Sequence, residues 1–354
     1  MFLKGYQWPF DSKKVLEGSS VIDLLVYREC VLKNRRVYLD FTKNPFGITE
    51  IEYNKLSEEA FEYLSKAEAC FGTPIERLEK MNAPAIELYK NKGLDISNEY
   101  LEIALCAQHN NGGIAVDMWW QTSVKGLFAA GECAGTHGIT RPGGSALNAG
   151  QVGSLRAAQY ISQNGNIPIS DEDFESILNE AESAHKKQLE KVSKSYDNID
   201  ELISAAQRRM SDNAAAIRNK ANMEKALRET EKDISGICEN AGVSEKSKLY
   251  RYYKLKDIIV TQQAVLSAMI NYADTVGDTR GSSLCYDEKG KLRAGLEEIF
   301  RFTEEKGDTR AKIQETVISG NDFKCRWRDV RPIPQNNDFF ENVWRGYREN
   351  KNIY

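Results

Sequence analysis

Leu105-Cys-Ala-Gln-His-Asn-Asn-Gly-Gly-Ile-Ala-Val-Asp117 and, after a short spacer, Gly126-Leu-Phe-Ala-Ala-Gly-Glu-Cys-Ala-Gly-Thr-His-Gly-Ile-Thr-Arg-Pro-Gly-Gly-Ser-Ala-Leu147 decide how this chain is read. Two of its three histidines, His109 and His137, lie here with a dense share of its glycines. Ile114-Ala115-Val116 and Leu127-Phe128-Ala129-Ala130 are short apolar runs bounded by glycine, a pattern that predicts buried strands. From Ala146 the run Leu147, Ala149, Gly150, Val152, Gly153, Leu155, Ala157, Ala158 and Tyr160 predicts a helix. Its small-residue face would lie unusually close to a sheet or a ligand.

Three features of this stretch carry chemistry. Gly131-Glu132 follows the second apolar run and would place a carboxylate at the C-terminal edge of a sheet. Nucleotide-like ligands bind there in α/β folds, and a ribose or ribityl hydroxyl finds its acceptor there. A glycine turn followed by an exposed Glu is the plain alternative. Pro142-Gly143-Gly144-Ser145-Ala146-Leu147 puts a glycine pair at a helix start, where unpaired N–H groups and the helix dipole favour an anion. A phosphate or the N1–C2=O edge of a reduced flavin would suit it; Ser145 as an ordinary N-cap is the other reading. Arg141, just ahead, is a candidate bidentate clamp for a carboxylate, with a structural salt bridge as the alternative. His109 is a candidate for binding a carboxylate or moving a proton near neutral pH. His185 reads as solvated on a polar helix face. None of the histidines has metal-ligand spacing with a Cys or an acidic residue. No G-x-G occurs in the chain, and therefore no G-x-G-x-x-G, and there is no Walker-A loop or G-x-S-x-G.

Working outward, residues 1–53 mix β-rich pieces with turns. Helices are expected over Asn54–Ala69 and Ile75–Asn91, the second broken near Asn82 by Pro84. Residues 170–275 carry three amphipathic patterns, the second opening at Ile199 and extending toward Glu239, and suit an antiparallel bundle. From Gly277 the chain reads as irregular and aromatic. The expected fold class is α/β plus α, in four parts: 1–98, 99–168, 169–276 and a tail, 277–354, packed on the others.

The 354 residues are 41% hydrophobic and 28% charged, with a net charge of -4. That balance argues against nucleic acid or an anionic membrane surface as a partner. Seven scattered cysteines, none spaced C-x-x-C, fit reduced thiols in a cytoplasm. No apolar run approaches the length of a membrane span.

The ordered series His109-Asn-Asn-Gly-Gly-Ile-Ala-Val-Asp117, Gln121-Thr-Ser-Val-Lys-Gly-Leu-Phe-Ala-Ala-Gly-Glu132 and His137-Gly-Ile-Thr-Arg-Pro-Gly-Gly-Ser-Ala-Leu147 resembles the succinate dehydrogenase/fumarate reductase flavoprotein family, which includes L-aspartate oxidase. Gln207–Arg218 and Thr279-Arg280-Gly281-Ser282 look like its C-terminal helical domain. The resemblance implies part of an FAD-binding α/β domain (99–168), part of an α+β capping domain (1–98) and a helical bundle (169–276). It implies FAD as cofactor, contacted at Gly131, Glu132, Ser145, Ala146 and Leu147. It implies a small carboxylate substrate held by Arg141, with His109 beside it, and hydride transfer to or from the flavin.

There are departures from the family pattern. Gln108 stands at the spacing of the family histidine, one residue before His109, and Ile22-Asp23 keeps the capping-domain Asp without its Arg. The ADP-binding βαβ unit is missing, so a separate chain supplying that Rossmann half, or a longer reading frame, is expected. An electron-transfer subunit is a further expected partner. The alternative from another class is a non-catalytic subunit or fragment with an incomplete flavin site.

Overall fold

The computed structural model describes residues 10–46, 51–106, 112–138, 144–164, 169–279, 283–303, 311–320, 322–332 and 338–349, with Lys4, Ile48, Thr309 and Gln335 besides. The fold is mixed α/β. The chain divides into two compact units, one of residues 1–106, 207–228 and 269–307, the other of residues 107–206, 229–268 and 308–354.

In the first unit, α1 (Val21–Tyr27) runs into a wider turn of helix over Arg28–Leu32. β1 (Val37–Leu39) pairs antiparallel with β2 (Leu101–Ile103), Val37 opposite Ile103. Between them lie α2 (Glu58–Lys66) and α3 (Pro74–Asn91). The Glu76 carboxylate accepts from the Thr73 N–H at 2.7 Å, which starts α3 in the manner of a capping box. Pro84 has no N–H to give and its ring crowds the preceding turn, so the break falls at Asn82, with φ -161° and ψ 65°. That is where the sequence places it. The Arg77 guanidinium, buried, donates to the carbonyls of Phe71 and Gly72 and to the Tyr53 hydroxyl, fixing the loop ahead of α3. The unit's apolar core is Val15, Leu24, Ile217, Leu284, Phe300 and Phe302. Ile217 and Leu284 meet because β3 (Ile217–Arg218) pairs in parallel with β4 (Leu284–Lys291).

The second unit holds α4 (Ser145–Asn164), α5 (Asp171–Val192) and α8 (Ile237–Asn240), parts of α6 (Ile199–Asn213), α7 (Lys220–Ser235) and α9 (Tyr250–Val276), and α10 (Phe339–Arg348). Val192, Ile199, Ile203, Ala206, Ile237, Tyr252, Leu255 and Ile259 form one core, drawn from four helices. The second helical pattern does not run on to Glu239. It stops at Asn213, whose side-chain amide donates to the Arg209 carbonyl at 2.8 Å and competes with the backbone ladder. His185 is exposed as expected, but its Nδ1 lies 3.0 Å from the Tyr253 hydroxyl.

Two expectations are corrected. Residues after Gly277 are not irregular: besides β4 and α10 they form a hairpin of β5 (Lys312–Ser319) and β6 (Asp322–Asp329). Gly320, φ +68°, turns it, and the Gln314 amide and Cys325 thiol donate to the Ala268 and Ser267 carbonyls of α9. The runs Ile114–Val116 and Leu127–Ala130 are not buried strands. Ile114 and Leu127 are exposed, and the pairing there is a single bridge between Gln121 and Phe128.

Candidate functional site

The site is built on close approach of bare backbone. Ala130 is extended, and Gly131, φ +81°, opens a single turn of 3-10 helix, Gly131–Ala134. The sheet edge expected around Glu132 is therefore a turn, closed by the Gly135 N–H on the Glu132 carbonyl at 2.9 Å. Residues 112–117 cross behind it, tied by the Ile114 N–H to the Cys133 carbonyl at 2.7 Å. The crossing is possible because both strands of chain carry glycine. A methyl on Gly113 would stand 2.5 Å from the Gly135 nitrogen, and one on Gly135 would stand 2.5 Å from the Gly112 carbonyl carbon. Gly135 also has φ +62°, the left-handed region glycine reaches freely.

On this turn lies α4. Its small face does what the residue pattern suggests: a methyl on Gly150 would sit 3.4 Å from the Gly131 Cα, and one on Gly153 would overlap the Trp120 ring. Trp120 is held in a left-handed conformation, φ +63°, at the tip of a loop that Asp117 organises. The Asp117 carboxylate accepts the N–H of Trp119 at 2.8 Å and of Gln121 at 3.0 Å. Trp119, buried, stacks on Tyr160 with centroids 5.9 Å apart, and the Arg156 guanidinium lies 4.0 Å from the Trp119 ring. This aromatic loop was not singled out from sequence. The signal for it was present in Asp117-Met-Trp-Trp: an Asx turn leading a pair of large apolar rings.

The structure brings Gly131 and Glu132 together with the half of α4 that begins at Ser145-Ala146-Leu147. Glu132 is exposed, and so is Leu147 on the first turn of the helix. Arg141 and His109 lie outside the described residues. No group of three or more His, Cys, Asp or Glu suited to a metal ion occurs among the described residues.

The geometry can be tested for a flat, partly anionic ligand. Among the described residues, nothing lies within 4 Å of where a side chain would begin on Gly131, Gly138 or Gly144, which leaves room beside the turn and ahead of α4. The first turn of a helix leaves N–H groups without an intrahelical acceptor, at the positive end of its dipole. No acidic residue stands in that turn to neutralise it. An open backbone, a positive helix end, an exposed apolar Leu147 and a nearby carboxylate fit a flavin, which has apolar ring faces, an N1–C2=O edge that gains negative charge on reduction, and a hydroxylated ribityl chain.

Comparison with known proteins agrees. The FAD binding domain family matches residues 33–147, a span that includes each of these positions. An uncharacterised FAD-dependent oxidoreductase of Methanocaldococcus jannaschii is 29% identical over 207 residues, 58% of this chain and 37% of that one. A fumarate reductase (CoM/CoB) of Methanothermobacter marburgensis has a subunit that is 31% identical over 275 residues, 74% of this chain and 43% of that one. Among solved structures, a quinol-fumarate reductase with menaquinol molecules superposes with a TM-score of 0.56 at 16% identity, over 93% of this chain and 59% of that one, a likeness of fold. The chain thus spans about two-fifths of the length of these two curated relatives.

Proposed function

We propose, from the premise that this chain belongs to the succinate dehydrogenase/fumarate reductase flavoprotein family, that it forms the flavin- and substrate-facing part of an FAD-dependent oxidoreductase acting on a small carboxylate. The observation that carries this reading is the Gly131-Glu132 turn packed against Gly150 of α4, with the turn and the helix start at 145–147 inside the matched FAD-binding span.

FAD, when bound, supplies hydride exchange with the substrate. The chain's own residues do the rest. Glu132 accepts hydrogen bonds from ribose or ribityl hydroxyls. Gly131 keeps the backbone low so that the ligand can approach, and Ser145, Ala146 and Leu147 present the helix start. There the dipole favours negative charge on the ligand's edge, and Leu147 packs on an apolar face. Arg141 holds a substrate carboxylate in a bidentate grip, fixing its orientation. His109 is the second candidate for contact with the substrate. No helix among the described residues is long and apolar enough to cross a membrane. An electron-transfer subunit is the expected redox partner.

The test begins with the visible spectrum of the protein purified as it is made. Flavin absorbance that falls sharply in Glu132→Gln supports the cofactor reading, and absorbance indifferent to that change refutes the role of Glu132. In a flavin-loaded enzyme, Arg141→Lys should keep the flavin and lower kcat/KM by about 100-fold, the worth of a bidentate charged contact, about 3 kcal/mol. Unchanged turnover would remove Arg141 from the site. The second reading is a non-catalytic chain that keeps the fold. A protein that stays colourless under every reconstitution would establish it.

A further inference from the structure

The helix α10, Phe339–Arg348, has two unlike sides. On one, the Asp338 carboxylate accepts from the Asn342 amide at 2.9 Å, and the Asn342 carbonyl accepts from the Arg345 guanidinium at 3.4 Å. That side is bonded along its own length. On the other, Phe340, Val343, Trp344 and Tyr347 recur at the three- and four-residue spacing that lines one helix face. Phe340 is 71% exposed and Trp344 50%. Trp344 stacks on Tyr347, with centroids 5.7 Å apart and the planes at 16°. Two rings already held against each other form an apolar platform that a partner meets at little cost in side-chain freedom. Aromatic rings and arginine are also the side chains that carry most binding energy at protein interfaces.

The charges around the platform say what fits it. Glu341 and Arg348 stand seven positions apart, two helical turns, and so share one flank of the apolar face. Both are exposed, and neither has an ion-pair partner among the described residues. When two copies of a helix pack antiparallel, like flanks face each other and each end meets the opposite end of its mate. Glu341 then stands across from Arg348 of the second copy, and Arg348 across from its Glu341. The two-fold axis passes beside Trp344, and Phe340 of each copy lies toward Tyr347 of the other. A parallel arrangement would set like charge against like. An anionic lipid surface is a poorer match: Asp338, Glu341 and Glu349 outnumber Arg345 and Arg348, whereas a helix lying on such a surface carries a cationic polar face.

We propose that the Phe340, Trp344 and Tyr347 face of α10 is a homodimer surface, closed by a second copy of this chain packed antiparallel with two Glu341–Arg348 ion pairs across the axis. None of these residues lies in the FAD-binding span 33–147, so the dimer stands independently of the cofactor.

The test uses the full chain. Sedimentation equilibrium over a series of concentrations should show a reversible monomer–dimer equilibrium. Glu341→Arg would flank the axis with two arginine pairs, and Arg348→Glu with two glutamate pairs. Each should weaken the dimer by about tenfold or more. Mixed one to one, the two variants should associate again, because one copy then carries arginine at both positions and the other glutamate. Trp344→Ala should lose the dimer whatever the charges. All three positions are exposed, and circular dichroism checks that the fold is kept. A chain that is monomeric at every concentration, a dimer indifferent to these substitutions, or charge variants that fail to recover on mixing would overturn the proposal. Monomeric protein that binds phosphatidylserine vesicles through Trp344 would overturn it too, and would assign the face to a membrane surface.

Discussion

Within one compact unit the chain is held together in two different ways. Around Tyr252, Leu255 and Ile259 of α9, side chains from α5, α6 and α8 fill the space between helices, and the backbones stay apart. Around Gly113, Gly135, Gly150 and Gly153 the space between segments is closed by backbone alone, or by backbone against the Trp120 ring. A side-chain core gains stability from buried area and adapts to swaps of similar volume. A glycine crossing buries little and tolerates no added atom, but it leaves N–H groups and an exposed helix start beside the turn. The first is a way to be stable. The second is a way to let a ligand approach the chain.

The largest test of this contrast falls in the helical core. Leu255→Ala should cost about 2–5 kcal/mol, the lost transfer energy plus the cavity left behind, seen as a lower urea midpoint with its slope unchanged. Leu255→Met should cost far less, about 1 kcal/mol or under, because volume is conserved. If both cost the same, the core does not work by filling space.

Gly135→Ala comes next, at about 2–4 kcal/mol, from the clash of a methyl with the 112–113 backbone and from a left-handed φ that L-residues resist. Here no conservative alternative should exist: Ser and Ala should be equally harmful. The fluorescence of the 119–120 tryptophans should change before the helical far-ultraviolet signal does. A Gly135→Ala protein of wild-type stability would mean that the two segments separate easily. Asp117→Ala is the smaller test of the same region. It removes the acceptor for the Trp119 and Gln121 N–H groups and should cost about 1 kcal/mol, confined to the loop. Hydrogen exchange at those two amides is the readout.

The contrast also explains what could be read from residues alone. The α3 break at Asn82 was legible because Pro84 acts through covalent geometry that no tertiary contact repeals. The start of α4 was legible within a residue of Ser145 because the glycine pair ahead of it punctuates the chain. Ile114–Val116 and Leu127–Ala130 misled because an apolar run signals burial without saying what pairs with it. The N–H of Ile114 goes to a turn carbonyl, and that of Leu127 closes its own turn on Val124. The β5–β6 hairpin was hidden by its charges, although Gly320-Asn321 after the β-branched Thr316-Val317-Ile318 and before the alternating Phe323, Cys325 and Trp327 was a turn signal within reach. Gly131, Glu132 and the first turn of α4 were singled out from spacing, and the structure packs α4 on the turn that holds the first two. The Trp119–Trp120 loop was not, because its partner, Gly153, lies far along the chain.

The β5–β6 hairpin supplies the weakest and most condition-dependent effect, because it rests on neither mode of packing. Glu315 stands opposite Arg326 in register, and its carboxylate accepts from the guanidinium groups of Arg328 and Arg326. Those hydrogen bonds, Arg328 first, hold the Glu315 carboxyl below its ordinary range. A carboxyl whose folded pKa is depressed stabilises the fold fully above its unfolded value, and that contribution fades as pH falls through the folded value. The hairpin should therefore loosen in acid while the Leu255 core, which is apolar, does not respond through this pair. Hydrogen exchange of the β5 and β6 amides should rise as pH falls below about 4, the ordinary Glu range, after correction for intrinsic exchange. Glu315→Gln should remove that rise and leave the hairpin slightly looser at neutral pH. Raised salt should mimic part of the acid effect, since the arginines are exposed and screened. A hairpin whose protection is flat across this range in the unaltered protein would show that its two hydrogen bonds to α9, from Gln314 and Cys325, hold it without the charge cluster.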